Sequence, residues 1–504
     1  YQEMISGLLF EGNAIAGVKT SLGIEIKGRA VVLTNGTFLN GLIHIGEKQF
    51  GGGRAGESAA FGITEILKDR GFESGRMKTG TPPRVDARSI DFSKLQEEPG
   101  DVHPQKFSYS NLSQPLQEQK SCYMAYTAPL VHDLLRSGFD RSPMFNGRIK
   151  SIGPRYCPSI EDKINRFADK ERHQLFIEPE GWKTREMYVN GFSTSLPEDV
   201  QFKALSSVVG FENVKFLRPG YAIEYDYFPP TQLKHTLETK LIDHLYFAGQ
   251  INGTTGYEEA AAQGLMAGIN AVLKLREQEP LILKRDEAYI GVLIDDLITK
   301  GTEEPYRMFT SRAEYRTLLR QDNADERLTR KAFDIGLASE SRLRRMEEKY
   351  AKAQDVVTFF KETSVTPSEV NPILTARESA EIVQSDKMFK VFSRPQIDLA
   401  AMRELEKVQA FLADKDFDDE ILEQAEIIVK YSGYIEKERN QADKLQRLED
   451  IKIPESFDYM QLKSMSIEAR QKLTAIKPIT LSQASRISGV SPSDISVLLV
   501  HMGR

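Results

Sequence analysis

A cysteine set among basic residues is the feature of this sequence that most directly suggests chemistry. Cys157 lies between Pro154 and Pro158, and both prolines restrict the backbone around it. Four basic residues share the segment: Arg155, Lys163, Arg166 and Lys170. Because cationic neighbours stabilise the thiolate, which is the reactive form of cysteine, we interpret Cys157 as a candidate nucleophile. The alternative is an inert buried thiol.

The remaining candidates for chemistry are sparse. The second cysteine, Cys122, has Lys120 as its basic neighbour, and we predict a structural role for it. Two cysteines far apart in 504 residues indicate a reducing compartment rather than a disulfide scaffold. The seven histidines are scattered without metal-ligand spacing, so the sequence predicts no metal site.

Composition sets wide limits on the class of protein. A chain of 504 residues should form about three domains. No run approaches the ~18 apolar residues needed to span a bilayer, so we expect a soluble, cytoplasmic protein without membrane contact. A net charge of -6 argues mildly against binding nucleic acid over the whole surface, but it allows a local basic patch.

The first 40 residues are typical of a β-meander that leads into a buried strand. Turn signals at Gly12-Asn13 and Gly23 separate short apolar runs, and the strand from Ala30 to Leu33 is followed by a polar turn, Thr34 to Thr37. This order resembles the second half of a flavin-binding Rossmann domain of the glutathione-reductase type.

A second segment matches the same kind of domain. Thr239, five residues, the apolar run from Leu245 to Ala248 and then Gly249-Gln250 resemble the flavoprotein pattern T-x5-hhhhGD. Gln250 stands where most such proteins carry an aspartate. A small-residue helix from Glu258 to Gly268 follows, and a helix N-terminus suits a pyrophosphate. An ordinary strand-to-helix crossover is the alternative.

The run from Gly51 to Gly56 satisfies G-x-G-x-x-G, but it is a weak match. No buried strand precedes it and no acidic ribose-binding residue follows at a convincing place. We therefore expect the dinucleotide-binding loop upstream of residue 1, in a part that this chain lacks.

Beyond residue 284 the pattern becomes helical. We expect Arg312, Arg316 and Arg320 to share one helix face, where they would meet phosphates or pair with nearby carboxylates. A long amphipathic helix is predicted around residues 421–435, and Ser491-Pro492-Ser493-Asp494 is typical of a helix start.

Seven sequence blocks, in order along the chain, resemble the MnmG/GidA family of tRNA-modifying flavoproteins. They are GGRAGE from Gly52, KTGTPPR from Lys78, RSPM from Arg141, GPRYCPSIEDK from Gly153, GQINGTTGYEEA from Gly249, SRAEYRTLLRQDNADERLT from Ser311 and QASRISGVSPSDISVLLVHM from Gln483.

The resemblance implies an activity with defined cofactors and partners. Family members bind FAD, use NADH as reductant and take a carbon from methylene-tetrahydrofolate. With the GTPase partner MnmE they add a carboxymethylaminomethyl or aminomethyl group at C5 of the wobble uridine of tRNA, as a homodimer within a heterotetramer. The C-terminal helical domain would serve tRNA and the partner.

Site residues are carried over from the same resemblance. Ile5 and Gln250 are expected to contact FAD. Cys157 is our own hypothesis for the catalytic residue, because a thiolate that adds to C6 of uracil would activate C5. This role and the nicotinamide site compete for the same residues. The nicotinamide site is expected at Gly153, Pro154, Arg155, Tyr156, Cys157, Pro158, Ser159, Ile160, Glu161, Asp162, Lys163, Ile164, Asn165, Arg166 and Phe167. Lys78, Arg84 and Arg88 are weighed as contacts for phosphate or the folate tail, against a solvated loop.

The predicted fold is an α/β Rossmann-like FAD-binding domain with an inserted NAD-binding α/β domain and an all-α C-terminal domain. We expect residues 1–83 and 246–283 to form the first domain, 84–245 the insertion and 284–504 the helical domain. Three alternatives stay open: a folate- and FAD-dependent tRNA methyltransferase, an ordinary flavin oxidoreductase, and a non-catalytic scaffold that binds tRNA or a GTPase.

Overall fold

The computed structural model describes residues 1–504 except 103, 111, 155–157, 414, 450, 455 and 503–504, and it leaves out the side chains of 444–449. The strands are β1 (Ile5–Glu11), β2 (Ala14–Thr20), β3 (Glu25–Lys27), β4 (Val31–Leu33), β5 (Leu42–Ile45), β6 (Lys48–Gly51), β7 (Gly75–Thr81), β8 (Arg84–Asp86), β9 (Gln96–Glu98), β10 (Cys122–Tyr126), β11 (Gln174–Pro179), β12 (Glu186–Asn190), β13 (Phe216–Arg218), β14 (Tyr221–Tyr227), β15 (Leu245–Phe247), β16 (Ser364–Val365) and β17 (Asp386–Lys387).

The helices are α1 (Ile63–Asp69), α2 (Pro129–Arg136), α3 (Ile160–Arg166), α4 (Glu198–Ser206), α5 (Tyr257–Leu275), α6 (Tyr289–Lys300), α7 (Ala324–Asp334), α8 (Glu340–Glu362), α9 (Pro367–Ala376), α10 (Met388–Phe392), α11 (Leu399–Met402), α12 (Glu406–Ala413), α13 (Asp419–Glu449), α14 (Ile467–Ile476), α15 (Leu481–Arg486) and α16 (Pro492–His501). Among the described residues, no helix combines the length and the apolar composition needed to span a membrane.

The first core joins distant parts of the chain. The antiparallel meander β1-β2-β3 leads to β4, which pairs in parallel with β15, so that Val31 lies opposite Leu245. Helices α1, α5 and α6 supply buried residues to this core, among them Leu67, Ala267 and Ile294. Helix α6 therefore packs with the first domain although it follows residue 284.

Two antiparallel sheets lie between β4 and β15. The four-stranded sheet β6-β5-β14-β7 leads into a six-stranded sheet in the order β13-β8-β12-β11-β10-β9. Helices α2, α3 and α4 pack on the second sheet around a core that includes Val131, Ile160 and Leu205. All strands of the six-stranded sheet fall between residues 84 and 218.

The C-terminal part is helical and holds two further cores. In the larger one α8 and α13 pack through Val356, Phe360 and Val429. In the smaller one α14, α15 and α16 pack around Leu473, Leu481 and Leu498; we call residues 451–502 the terminal bundle. The predicted fold class is thereby confirmed: mixed sheets and helices, an inserted domain, and a helical C-terminal part.

The prediction that Arg312, Arg316 and Arg320 share one helix face is wrong. Thr310–Arg312 is a short 3₁₀ helix, and the next helix begins at Ala324. The backbone N–H groups of Thr317 and Leu318 donate to Glu438 on α13 at 2.9 and 3.1 Å, and the Leu318 N–H also closes a turn onto the Tyr315 carbonyl at 3.2 Å. Arg320 pairs with Asp322 at 3.1 Å, which was the carboxylate alternative.

Candidate functional site

The segment after β15 is shaped by one glycine and one buried glutamine. Gly249 has φ = 86°, a conformation that glycine adopts without strain, and it opens a 3₁₀ turn, Gly249–Asn252. Gln263 on α5 is fully buried, and its Oε1 accepts from the Gly249 N–H at 3.1 Å and from the Asn252 amide at 2.8 Å. Its Nε2 donates to Thr254 Oγ1 and to the Glu259 carbonyl, both at 3.1 Å.

Gln250 is the second residue of this turn. It is half-buried, and the Cβ that Gly36 lacks would lie 4.0 Å from its Oε1. The Gln250 amide faces the hydroxyl of the fully buried Tyr225, whose pKa is raised to about 12 by burial. Ile5, at the start of β1, packs at the edge of the same core.

The carboxyl ends of the parallel strands β4 and β15 lie side by side and define a candidate ligand crevice. In open parallel sheets, ligands bind beyond these strand ends. Within the described residues, Asn35 Oδ1 after β4 and Asn252 Oδ1 after β15 are buried and have no hydrogen-bond partner. Helix α5 begins at its N-cap, Gly256, and its first turn offers backbone N–H groups to an anion.

A cavity of about 940 Å³ lies where the domains meet. The described residues that line it are Lys78, Met144, Ile149, Ser151, Ile152, Gly153, Pro154, Pro158, Asp162, Arg166, Lys300, Gly301, Glu303, Glu304 and Ser488. They come from β7, from the segment before α3, from α3 itself, from the end of α6 and from the terminal bundle. This volume is ample for a nucleotide-sized ligand.

The nicotinamide segment predicted at residues 153–167 divides into three groups. Gly153, Pro154, Pro158, Asp162 and Arg166 line the cavity. Arg155, Tyr156 and Cys157 lie outside the described residues, so the expected nucleophile has no described position. The remaining members either stabilise the fold of the inserted domain or lie exposed on its surface.

These remaining members can be placed one by one. Ser159 caps α3 by accepting from the Asp162 N–H at 3.2 Å, and Ile160 and Ile164 are buried in the core. Glu161 is fully buried, and its Oε1 accepts from the N–H and the hydroxyl of Ser195 at 2.8 and 2.9 Å. Lys163 Nζ donates to the Gly191 carbonyl at 3.2 Å. Asn165 and Phe167 are exposed.

Three basic residues of the segment RMKTGTPPRVDAR, residues 76–88, have different partners. Arg84 pairs with Glu180 at 2.7 Å and lies over the Tyr188 ring, and Arg88 pairs with Asp86 at 2.5 Å. Lys78 is buried in the wall of the cavity.

The second cysteine lies on β10, where burial and the charge of Glu178 raise the pKa of the Cys122 thiol. A raised pKa disfavours the thiolate.

Two site residues were missed from the sequence. Gln263 was missed because only the small residues of this helix, its alanines and glycines, were considered. A polar side chain on the buried face of such a helix is a signal that could have identified it, since buried polar groups need hydrogen-bond partners. Glu224 lies next to the cavity: its Oε2 is 2.9 Å from His44 Nε2, and its Oε1 accepts from the cavity-lining Ser151 at 2.7 Å. The pattern of β14 alone gave no signal for it.

Comparison with known proteins covers the whole chain. The family model described as "Glucose inhibited division protein A" matches residues 1–279. Models for the C-terminal helical domain and the C-terminal helical bundle of the "tRNA modifying enzyme MnmG/GidA" match residues 340–439 and 441–504.

Individual relatives agree with the family models. The tRNA uridine 5-carboxymethylaminomethyl modification enzyme MnmG of Flavobacterium johnsoniae is 76% identical over 504 residues, and that of Flavobacterium psychrophilum is 74% identical. Each alignment covers 100% of this chain and 81% of the relative. The structure of Aquifex aeolicus GidA in the form II crystal matches with a TM-score of 0.88 at 45% identity, over 100% of this chain and 80% of that one.

Proposed function

The chain belongs to the MnmG/GidA family of tRNA-modifying enzymes, and we propose that it adds a carboxymethylaminomethyl or aminomethyl group to C5 of the wobble uridine of tRNA. The observation that carries this proposal is the 76% identity, over the full length of the chain, to a relative named for that modification. The geometry supports it, because the flavin-type crevice and the cavity between domains lie within one molecule.

FAD is the cofactor we propose for the crevice beyond β4 and β15. Gln250 would contact it from the turn that Gln263 holds, the N-terminus of α5 would face its pyrophosphate, and Ile5 would contact it from β1. When bound, the flavin supplies the redox chemistry that these side chains lack. The residues of the chain bind it and fix its orientation.

NADH is the proposed reductant, and the cavity lined by Gly153, Pro154 and Pro158 is its proposed site. The carbon would come from methylene-tetrahydrofolate and the amine from glycine or ammonium. C5 of uracil is a poor nucleophile, and addition of a thiolate at C6 would make it enolate-like. Cys157 is the residue proposed for that addition, since its flanking prolines lie on the cavity wall.

The proposed assembly is a homodimer joined to the GTPase MnmE in a heterotetramer, acting on tRNA in the cytoplasm. The helices from α7 onward are the proposed surface for tRNA and the partner. Two of the three family models cover this part of the chain. Both are named for the MnmG/GidA enzymes, which favours this function over the folate-dependent tRNA methyltransferase.

The test begins with the absorbance spectrum of the purified full-length protein, including the residues upstream of residue 1, after incubation with FAD. We expect a flavin band that bleaches when NADH is added without oxygen. The protein is then given tRNA, methylene-tetrahydrofolate, glycine and the GTPase, and the modified uridine is measured by mass spectrometry of tRNA digests. A protein without a flavin band would overturn the enzyme proposal and favour the scaffold.

The cysteines provide a matched pair of variants for the same assay. Cys157→Ser is expected to lose tRNA modification while its flavin band still bleaches with NADH. Cys122→Ser, which changes a thiol of raised pKa on β10, is expected to keep both activities. Full modification by Cys157→Ser would remove this cysteine from the mechanism.

A further inference from the structure

Ser151 is the one polar side chain that the segment 144–158 contributes to the described lining of the cavity. The segment's other lining residues, which together with Ser151 we call the apolar wall, are Met144, Ile149, Ile152, Gly153, Pro154 and Pro158. Ile152 is 56% exposed, so an apolar side chain is open to a ligand at this wall. The charged lining residues come instead from β7, from α3 and from residues 300–304.

The hydroxyl of Ser151 is turned toward a buried carboxylate. Ser151 Oγ donates to Glu224 Oε1 at 2.7 Å, and Glu224 is 7% exposed and does not belong to the described lining. Burial raises the pKa of Glu224, but the hydrogen bonds from His44 and Ser151 outweigh it and lower the pKa to about 2. The carboxylate is therefore ionised at neutral pH, and an ionised carboxylate accepts hydrogen bonds but donates none.

The other contact of Glu224 also has a defined direction. An amide nitrogen can only donate, so Gln49 Nε2, which lies 3.0 Å from His44 Nδ1, makes that ring nitrogen the acceptor. The ring proton then lies on His44 Nε2, which donates to Glu224 Oε2 at 2.9 Å. Gln49, His44, Glu224 and Ser151 thus form a chain in which the direction of each hydrogen bond is fixed.

This chain makes the Ser151 hydroxyl an acceptor toward the cavity. A serine hydroxyl carries one proton and two lone pairs, and here the proton is used on Glu224. The hydroxyl can therefore accept from an N–H or O–H group of a ligand, and it offers nothing to a phosphate oxygen, which is itself an acceptor. A flat, uncharged ring that carries an amide N–H₂ group matches both the apolar surroundings and the single acceptor.

We propose that Ser151 accepts a hydrogen bond from the carboxamide N–H₂ of the nicotinamide ring, with Glu224 as the positioning residue that fixes the hydroxyl in this role. The inference rests on the proposed function, because it takes the nicotinamide dinucleotide as the ligand of the cavity. The ring would lie along the apolar wall beside Ile152, and the ribose groups would lie toward the polar lining from α3 and the end of α6. Ser151 precedes the segment 153–167, so it was not among the residues expected to bind the dinucleotide.

The test compares two dinucleotides by isothermal titration into the FAD-loaded full-length protein, including the residues upstream of residue 1. NAD⁺ binds without reducing the flavin, and 3-acetylpyridine adenine dinucleotide carries a methyl group in place of the carboxamide N–H₂. We expect the wild type to bind NAD⁺ about three- to tenfold more tightly than the analogue, as one neutral hydrogen bond would give. Ser151→Ala is expected to bind the two equally, and Ser151→Thr, which keeps the hydroxyl, to retain the preference.

Glu224→Gln separates the direction of the hydroxyl from its presence. The glutamine carbonyl would stay toward the donor His44 Nε2, so its N–H₂ would face Ser151 and donate to it. Ser151 then turns its own proton toward the ligand. We expect this variant to lose the preference for NAD⁺ although the hydroxyl is still present, whereas a mere loss of packing would weaken the binding of both dinucleotides alike.

Ser488→Ala is the matched control. Ser488 is the other serine in the described lining, but it reaches the cavity from the terminal bundle. Removal of its hydroxyl is expected to leave the preference for NAD⁺ over the analogue unchanged. A preference that is lost in Ser488→Ala and kept in Ser151→Ala would place the acceptor in the bundle and overturn the inference.

The outcomes separate this inference from the proposed function. If the wild type binds both dinucleotides equally and Ser151→Ala changes neither affinity, the inference fails while the nicotinamide site stands. If the wild type binds neither dinucleotide, the proposed reductant fails and the inference fails with it. The flavin band of each variant is measured in the same samples. Should Ser151→Ala not retain flavin, Ser151→Cys, whose thiol is a weak acceptor, decides by the same criteria.

Discussion

At the scale of single residues, the amide of Gln263 organises the turn that follows β15. This one side chain makes four hydrogen bonds: its oxygen accepts two and its nitrogen donates two. All four partners lie between Gly249 and Glu259. A buried amide with every partner satisfied rigidifies the backbone around it. The flavin contact proposed for Gln250 depends on that rigidity.

Gln263→Leu is expected to weaken both the fold and flavin binding. The substitution leaves the buried Gly249 N–H and one of the two amide hydrogens of Asn252 without an acceptor, at about 1–3 kcal/mol for each. The other Asn252 hydrogen still donates to the Phe247 carbonyl at 3.0 Å. We expect at least about a tenfold loss of FAD affinity, measured by quenching of flavin fluorescence. Gln278→Leu, on the exposed end beyond α5, is the control and should bind FAD normally. Wild-type affinity in Gln263→Leu would contradict this role.

Lysines show why residue roles could be predicted from the sequence only in part. Lys163 and Lys78 are both basic residues near glycine and proline, and the nearby sequence favoured Lys163 for the ligand. The structure orients Lys163 toward the Gly191 carbonyl and brings Lys78 to the cavity from a strand 75 residues earlier than Gly153. Side-chain direction depends on sheet pairing, which a local pattern does not contain.

At the scale of elements, a buried polar cluster links two strands of the four-stranded sheet. His44 on β5 contacts Glu224 on β14 at 2.9 Å, and Ser151 donates to the same carboxylate. Burial alone would raise the pKa of Glu224, but the hydrogen bonds from His44 and Ser151 and the charge of Arg76 outweigh it and lower the pKa from 4.5 to about 2. The ionised carboxylate therefore stabilises the folded state.

This cluster predicts acid sensitivity with a defined sign. Because the folded pKa is lowered, the stabilisation is fully present above pH 4.5 and is lost as the pH falls toward 2. Glu224→Gln should lower the free energy of unfolding by on the order of 3 kcal/mol at pH 7. In urea unfolding at pH 7, 5, 4 and 3, the gap to the wild type should shrink below pH 4.5.

Glu57→Gln is the control for the urea series. Glu57 pairs with Arg54 at 3.7 Å on the surface, and such pairs contribute little to stability. Its unfolding midpoint should match the wild type throughout. A gap for Glu224→Gln that stays constant from pH 7 to pH 3 would show that the Glu224 carboxylate is not the titrating group.

Helices were predicted correctly from the sequence where the local capping or periodicity signal agrees with the burial seen in the structure. Ser491 accepts from the Asp494 N–H at 3.2 Å and begins α16, as its capping pattern predicts, and Ala425 and Val429 are buried on the long helix α13. The helix predicted around Arg316 does not form: the Thr317 N–H donates to Glu438 of α13, and the Leu318 N–H is shared between Glu438 and a turn onto the Tyr315 carbonyl. A tertiary acceptor can thus replace a helical one, and periodicity alone does not show this.

At the scale of the whole molecule, the terminal bundle completes the cavity through a small set of polar contacts. Arg486 on α15 lies 2.7 Å from Asp295 of α6, and Gln483 lies 2.9 Å from His235. Lys240 donates to the Ile476 carbonyl at 2.7 Å. Ser488, two residues after Arg486, lines the cavity. The shape of the cavity therefore depends on how the terminal bundle docks.

Arg486→Gln is expected to loosen the bundle without unfolding the first domain. Asp295 is 5% exposed and also pairs with Arg285 at 3.0 Å, so the variant does not leave a lone buried charge. We expect docking to weaken by about 1–3 kcal/mol, which should speed amide hydrogen exchange in α15 while α5 exchanges as in the wild type. Lys472→Gln, which breaks a surface pair with Glu468 inside the bundle, is the control and should change neither helix. Unchanged exchange in α15 of Arg486→Gln would mean that apolar packing alone holds the bundle, and Ser488 would then be fixed at the cavity independently of this ion pair.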